Sequence, residues 1–264
     1  MDYQYILVDV KDRIATVTIN RPKYSNAFAR ESYYEIADAM NTLGARDDVG
    51  VIVITGAGKH FSAGGDIKRF KMLVDTKTYL KAEDIEAVSA MPISIRNCPK
   101  PVIAMINGVA TGAGLSCALA CDFRIVEPSS KMIMAFVNMG LCGDNESIYT
   151  LTRLLGPDKA ELMMMTGDAY KGEQCVKTGL ATVLAEDGKL AETTYALAAK
   201  LASKSSTAHA GQKRLIRKYF YGGMENFAKD EGIEMAAASR QPDFTEAVNA
   251  FIEKRMPAYN LPHK

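Results

Sequence analysis

The chain has 264 residues, 48% of them hydrophobic and 24% charged, the balance of an ordinary globular protein with a substantial buried core. Thirty-two Lys plus Arg against 31 Asp plus Glu leave a net charge of +1, which provides no global field for nucleic acid or an anionic membrane; local clusters must meet any anionic ligand. The N-terminus lacks the basic flank and apolar core of a leader, and no apolar run approaches the roughly 20 residues of a spanning helix, so the expected location is cytoplasmic.

In chain order, β-branched runs at 6–10 and 14–19 predict a hairpin turning at Lys11-Asp12-Arg13. Residues 31–43 carry the apolar spacing of a helix. The run 51–55 predicts a buried strand ending in Gly56-Ala57-Gly58, and 102–106 a second ending at Asn107-Gly108. Strands alternating with helices define an α/β class. From about Asp144 the spacing becomes helical, notably over 189–203, 211–219, 223–238 and 244–255, with no Pro- or Ser-rich linker, low-complexity tract or internal repeat. This pattern predicts a helical tail packed on its own or a neighbouring α/β core.

Cys98, Cys117, Cys121, Cys142 and Cys175 are odd in number and form no CxxC pair, which predicts free, mostly buried thiols. His60, His209 and His263 share no metal-ligand spacing, which argues against a zinc hydrolase, and no metal is expected. Tryptophan is absent.

Two glycine-rich turns follow the predicted buried strands, one at 61–67 and one at 107–114. Small residues expose backbone N–H groups there, and a following helix N-terminus adds positive potential, which suits a carbonyl oxygen or a phosphate. Two converging donors would make an oxyanion hole, whereas tight turns for helix–sheet packing are the plainer alternative. Neither turn completes GxGxxG, and GxxxxGK[ST] is absent, which argues against a dinucleotide or P-loop site. A third segment, 139–147, sets Asp144 and Glu146 before a helix over 148–155. Asp144 is either its N-cap or, if partly buried, a general base or nucleophile.

Taken together, Asn20-Arg21-Pro22, the stretch 61–66, the stretch 101–122 with its Cys121-Asp122, and Gly140-Leu141 with the following helix resemble the crotonase (enoyl-CoA hydratase/isomerase) superfamily in order and spacing over nearly the whole chain. The resemblance implies a spiral of ββα units over residues 1–200, and a helical trimerisation region over 201–264, assembled as a homotrimer or dimer of trimers. It implies an acyl-CoA thioester substrate, with coenzyme A entering as part of that substrate and no separate cofactor. By the same resemblance, backbone N–H groups of Ala63 and Ala113 would form the oxyanion hole. Coenzyme A would lie along Lys23, Tyr24, Ser25, Asp66, Ile67 and Lys68. Lys254-Arg255 resembles a basic end that reaches a neighbouring subunit's nucleotide, and it is equally a solvated helix C-terminus.

Hydratases of the family carry two glutamates where this chain has Ser116 and Phe136, so an ordinary two-glutamate hydratase is disfavoured. Asp144 falls where other members, among them double-bond isomerases and aryl-CoA dehalogenases, keep a single carboxylate. The dehalogenases also use an active-site histidine and tryptophan, whereas this chain has no Trp and no histidine between His60 and His209. The expected reaction is therefore a double-bond shift through a thioester enolate with Asp144 as acid and base and Glu146 as assistant or replacement. The alternatives are a hydratase or ring hydrolase with relocated carboxylates, and a non-catalytic acyl-CoA-binding subunit. Met72, Leu73, Phe136 and Met139 are candidate acyl-pocket residues, with ordinary core as the plainer reading of each.

Overall fold

The computed structural model describes residues 2–259; Met1 and the end of the predicted helical region, His263 included, lie outside the described residues. β1 (Ile6–Lys11) and β2 (Ile14–Ile19) pair antiparallel through Asp12-Arg13, both left-handed at φ 51° and 63°, the two-residue geometry whose twist suits a hairpin. α1 (Arg30–Ala45) buries Tyr33, Ile36, Met40 and Leu43, spaced three or four apart, on one face. β3 (Val51–Gly56), buried throughout, runs parallel to β2. Next come α2 (Ile67–Asp75), α3 (Ala82–Val88), α4 (Ala90–Asn97), β4 (Val102–Met105), β5 (Val109–Thr111), α5 (Ala113–Ala120), β6 (Phe123–Val126) and β7 (Lys131–Ile133). α6 (Ser147–Leu155), α7 (Pro157–Thr166), β8 (Ala169–Lys171), α8 (Gly172–Thr178) and β9 (Val183–Leu184) close the strand-bearing part. Four helices follow, α9 (Leu190–Ala202), α10 (Ser206–Tyr219), α11 (Met224–Ala238) and α12 (Pro242–Glu253).

Six strands form one sheet in the order β1-β2-β3-β4-β6-β9, parallel beyond β1, and β5-β7-β8 form a second. The continuous apolar runs reflect a sheet covered on both faces. Ile52, Ile54, Val102 and Ala104 enter the main core, while Val51, Val53, Ile103 and Ile125 pack with Ala198 of α9 on the other side. The α/β class and the helical C-terminal quarter are those the sequence predicts. α10 starts earlier than its apolar spacing suggests because Ser205 caps it, its hydroxyl accepting Ala208 N–H at 3.2 Å. Cys98, Cys117, Cys121 and Cys175 are buried and free, while Cys142 is exposed. α11 lies on α3 and α12 on α2, so the tail folds back over the segment between β3 and β4.

Candidate active site

The turn after β3 engages its N–H groups in order. Ser62 N–H donates to Val109 O (3.0 Å), Ala63 N–H to Ser25 O (3.0 Å) and Gly64 N–H to Ser62 Oγ (3.2 Å). Of these successive donors Gly65 N–H is the first left without an acceptor among the described residues. The expected donor, Ala63, is thus already committed to holding Ser25, and the free N–H lies two residues further on. Ala113 opens α5, where a helix N–H has no partner one turn back. The two turns interlock through a bridge between Ser62 and Ala110. At Gly64 (φ 85°) a methyl group would sit 2.7 Å from Thr111 O and 3.4 Å from Ala113 N, so glycine is required for the turns to meet.

Gly65 and Ala113 both line a cavity of about 170 Å³. Its walls are largely apolar, with Phe28 and Tyr33 edge to face at 5.0 Å, Leu80, Ile85 and Val88 around α3, and Met235 and Phe251 from the C-terminal helices. Phe136 and Met139 line it as expected of acyl-pocket residues. Met72 does not: it is 55% exposed on the outer side of α2, beside Lys68, Asp75 and Ile252. Leu73 is buried in the core away from the cavity.

Asp144 reaches this cavity and is only 8% exposed; its Oδ1 has no partner among the described residues. Burial raises its pKa to about 6, with the Asn145 side chain and the Arg69 charge opposing the rise. Asp144 is not the N-cap of α6. Asn145 and Glu146 both adopt left-handed backbone (φ 55° and 52°), Glu146 occupies the cap position, and Asp144 contributes only its carbonyl, which accepts Ser147 N–H at 3.2 Å. Ser116 Oγ lies 3.1 Å from the same carbonyl and 3.2 Å from Gly112 O.

Glu146 is fully buried and does not line the cavity, which separates it from Asp144 as a candidate for contact with substrate. Its N–H donates to Glu231 Oε2 on α11 at 2.7 Å. Burial pushes the Glu146 carboxyl up to about 9, Ser89 eases it, and Glu231, Asp144 and Glu225 raise it further. Burial and the Asp144 charge push Glu231 up to about 8. Tyr33 stays a neutral phenol, because burial and Asp144 both raise its pKa well above the ordinary value.

The expected coenzyme-binding residues form one patch. Lys23 and Tyr24 lie in a 3-10 turn, Pro22–Tyr24, and Ser25 closes it in left-handed backbone. Lys68 Nζ stands 4.6 Å over the Tyr24 ring, and both Lys23, next to Tyr24 in the turn, and Lys68 are exposed. Asp66 is internally engaged: Oδ1 accepts Lys68 N–H at 3.0 Å, capping α2, and Oδ2 pairs with Arg21 at 2.9 Å. Ile67, the first residue of α2, lines the cavity. Arg255 is paired with Glu246 (2.5 Å) and Glu253 (2.6 Å), so its charge is largely compensated within the chain.

Sequence reasoning missed Tyr33, Arg69 and Glu231. Tyr33 reads as core of an amphipathic helix, and Arg69 and Glu231 sit in helices with no motif to mark them.

The enoyl-CoA hydratase/isomerase family model matches residues 9–261. A trans-2-decenoyl-[acyl-carrier-protein] isomerase of Streptococcus mutans is 31% identical over 98% of this chain and 99% of its own. A 1,2-epoxyphenylacetyl-CoA isomerase of Escherichia coli is 29% identical over 97% and 98%. Among solved structures, an enoyl-CoA hydratase from Mycobacterium avium subsp. paratuberculosis superposes with a TM-score of 0.88 at 26% identity, covering 98% of this chain and 100% of that one. The fold is that of the crotonase superfamily. The chain belongs to the enoyl-CoA hydratase/isomerase family and is an enzyme of that type.

Proposed function

We propose that the protein shifts the double bond of an enoyl thioester between C3–C4 and C2–C3, with Asp144 as its sole acid and base. The observation that carries this reading is the state of the carboxylates at the cavity. Asp66 is tied to Arg21 and to Lys68 N–H, Glu146 lies outside the lining, and Asp144 alone presents an unpartnered oxygen. Ser116 and Phe136 stand where a hydratase carries its glutamates.

Asp144 carboxylate removes a proton from C2 of the 3-enoyl thioester. The C–H electron pair delocalises into a dienolate whose oxygen accepts hydrogen bonds from Gly65 and Ala113 N–H, each worth about 3–4 kcal/mol where charge develops. The Asp144 carboxylic acid then delivers its proton to C4 and the double bond settles at C2–C3. A pKa of about 6 leaves the group ionised at neutral pH yet still able to return the proton.

The thioester is carried on the pantetheine arm of coenzyme A, and the phosphates beyond that arm meet Lys23 and Lys68. The enzyme works in the cytoplasm as a homotrimer or dimer of trimers; α10, which buries no residue and leaves Leu215, Ile216, Tyr219 and Phe220 exposed, supports such assembly. Among the described residues no helix is long and apolar enough to cross a membrane.

The test is deuterium exchange at C2 and C4 across saturated, 2-enoyl and 3-enoyl thioesters of coenzyme A and acyl carrier protein, for wild type, Asp144→Asn and Glu146→Gln. Migration and exchange lost only in Asp144→Asn support the reading. Water addition that requires Glu146 would replace it with a hydratase, and tight binding without exchange would point to a non-catalytic subunit.

A further inference from the structure

The loop that presents Asp144 contains two successive left-handed residues, Asn145, a type that tolerates this conformation, and Glu146, for which it is unfavourable. Such backbone persists only where its surroundings over-determine it. Toward the helix side the hold is ordinary: Thr150 N–H donates to Glu146 O at 2.9 Å. The distinctive contact comes from 85 residues away, where Glu231 Oε2 accepts the Glu146 N–H at 2.7 Å.

Glu231 is itself fixed. Its neighbour Gly232 has no room for a side chain, since a methyl group there would lie 2.8 Å from Ala82 O, so α11 is pressed against the start of α3 at this level. Glu231 is 3% exposed and its second oxygen, Oε1, has no partner among the described residues. Around it and Glu146 stand Asp144 and Cys142 from the loop, Glu225 from the first turn of α11, and Ser89 between α3 and α4. No described Lys or Arg forms an ion pair with either glutamate. An acceptor this deeply buried and this sparsely compensated is costly to keep. What it holds is backbone, the N–H of Glu146 in the left-handed pair and that of Ile148 in the first turn of α6, and neither residue lines the cavity.

We infer that Glu231 is a positioning residue for Asp144: by accepting the Glu146 N–H it holds the two left-handed residues that turn the Asp144 carboxyl into the cavity. The inference rests on Asp144 being the working acid, as proposed above. It makes the C-terminal helical region a participant in the geometry of the site through a polar contact as well as through the apolar wall.

The test compares Glu231→Gln, which keeps a carbonyl acceptor, with Glu231→Leu, which removes it. Glu231→Gln should hold kcat within about threefold of wild type, while Glu231→Leu loses roughly tenfold to a hundredfold in kcat with KM little changed, the cost of a misplaced reacting group. Adding Glu146→Gly to Glu231→Leu should recover much of the loss, because glycine takes up the left-handed backbone without a clamp. The carboxyl infrared band of Asp144, assigned by its loss in Asp144→Asn, should titrate at a lower pH in Glu231→Leu as the loop loosens and water enters. That band reads the inference even if wild type turns over none of the thioesters. An unchanged band and unchanged kcat in a folded Glu231→Leu would overturn it, as would a Glu231→Gln as impaired as Glu231→Leu.

Discussion

The Ser116 hydroxyl lies 3.1 Å from the main-chain oxygen of Asp144. A side chain standing where family hydratases carry a glutamate is thus turned to the backbone of the acid-bearing loop. Losing one such bond costs about 1 kcal/mol. Ser116→Ala should therefore lower the melting temperature by roughly 2–4 °C and reduce kcat more than it raises KM. Thermal melts alongside steady-state kinetics check this, and a variant unchanged in both would show that Ser116 does not anchor the loop.

Asp144→Asn removes the proton shuttle while keeping shape. Isomerisation should fall about 10³-fold in kcat, within the range for a lost general base, with thioester affinity nearly intact. In wild type, kcat/KM should climb as pH rises through about 6, where the carboxylate ionises, and level off above it. A profile flat from about pH 5 to about pH 8 would remove Asp144 from the role of base.

The buried carboxyls give stability a definite slope. Glu146 and Glu231 have folded values raised to about 9 and about 8 from 4.5, so between these limits the folded chain keeps protons that the unfolded chain has released. Their contribution is complete below the unfolded value and is lost as pH rises through the folded ones. Glu146→Gln should leave the melting temperature near pH 5 almost unchanged and raise it at about pH 9 by roughly 2–4 °C. Parallel melting curves for variant and wild type across that window would refute the assignment.

Ala113→Pro isolates one oxyanion donor. Proline is tolerated at the first position of a helix, where its missing N–H has no helical partner. The helix should therefore survive while kcat falls by about 10²–10³-fold, and affinity for an enolate mimic should fall with it. Circular dichroism establishes folding, and retention of full kcat would exclude Ala113 N–H from the oxyanion hole.

Phe136 and Met72 separate cavity from surface. Phe136→Ala should widen the site and move the preferred acyl group toward bulkier or longer chains, while Met72→Ala leaves the preference as it was. Turnover of a thioester series graded in length and branching reads both. A shift caused by Met72→Ala would mean that the acyl group leaves by the groove on the outer side of α2.

The strands, the glycine turns and the helical tail were legible because each rests on local chemistry: apolar runs, small residues and helical spacing. Asp144 was also legible, from its place before α6. The glycine turn after β3 was legible but its free N–H was not, because which N–H is free depends on Ser25 and Ser62 capturing those of Ala63 and Gly64. Glu146 looked equivalent to Asp144, two residues away in an apparently extended loop, until the left-handed pair sent one carboxyl to the cavity and the other into the protein. Met72 and Leu73 show the same limit on a helix, where neighbouring residues face different ways and spacing alone does not say which face meets the ligand. Glu231 carried no signal, since its partner lies far away in sequence.

On α11, Met235 faces the acyl cavity and Ile233, two residues earlier, is 59% exposed. One stretch of helix therefore serves two surroundings, the cavity on one face and the outer surface on the other. An engineer reshaping the cavity through Met235 works on a helix whose other face, at Ile233, is solvent-facing surface.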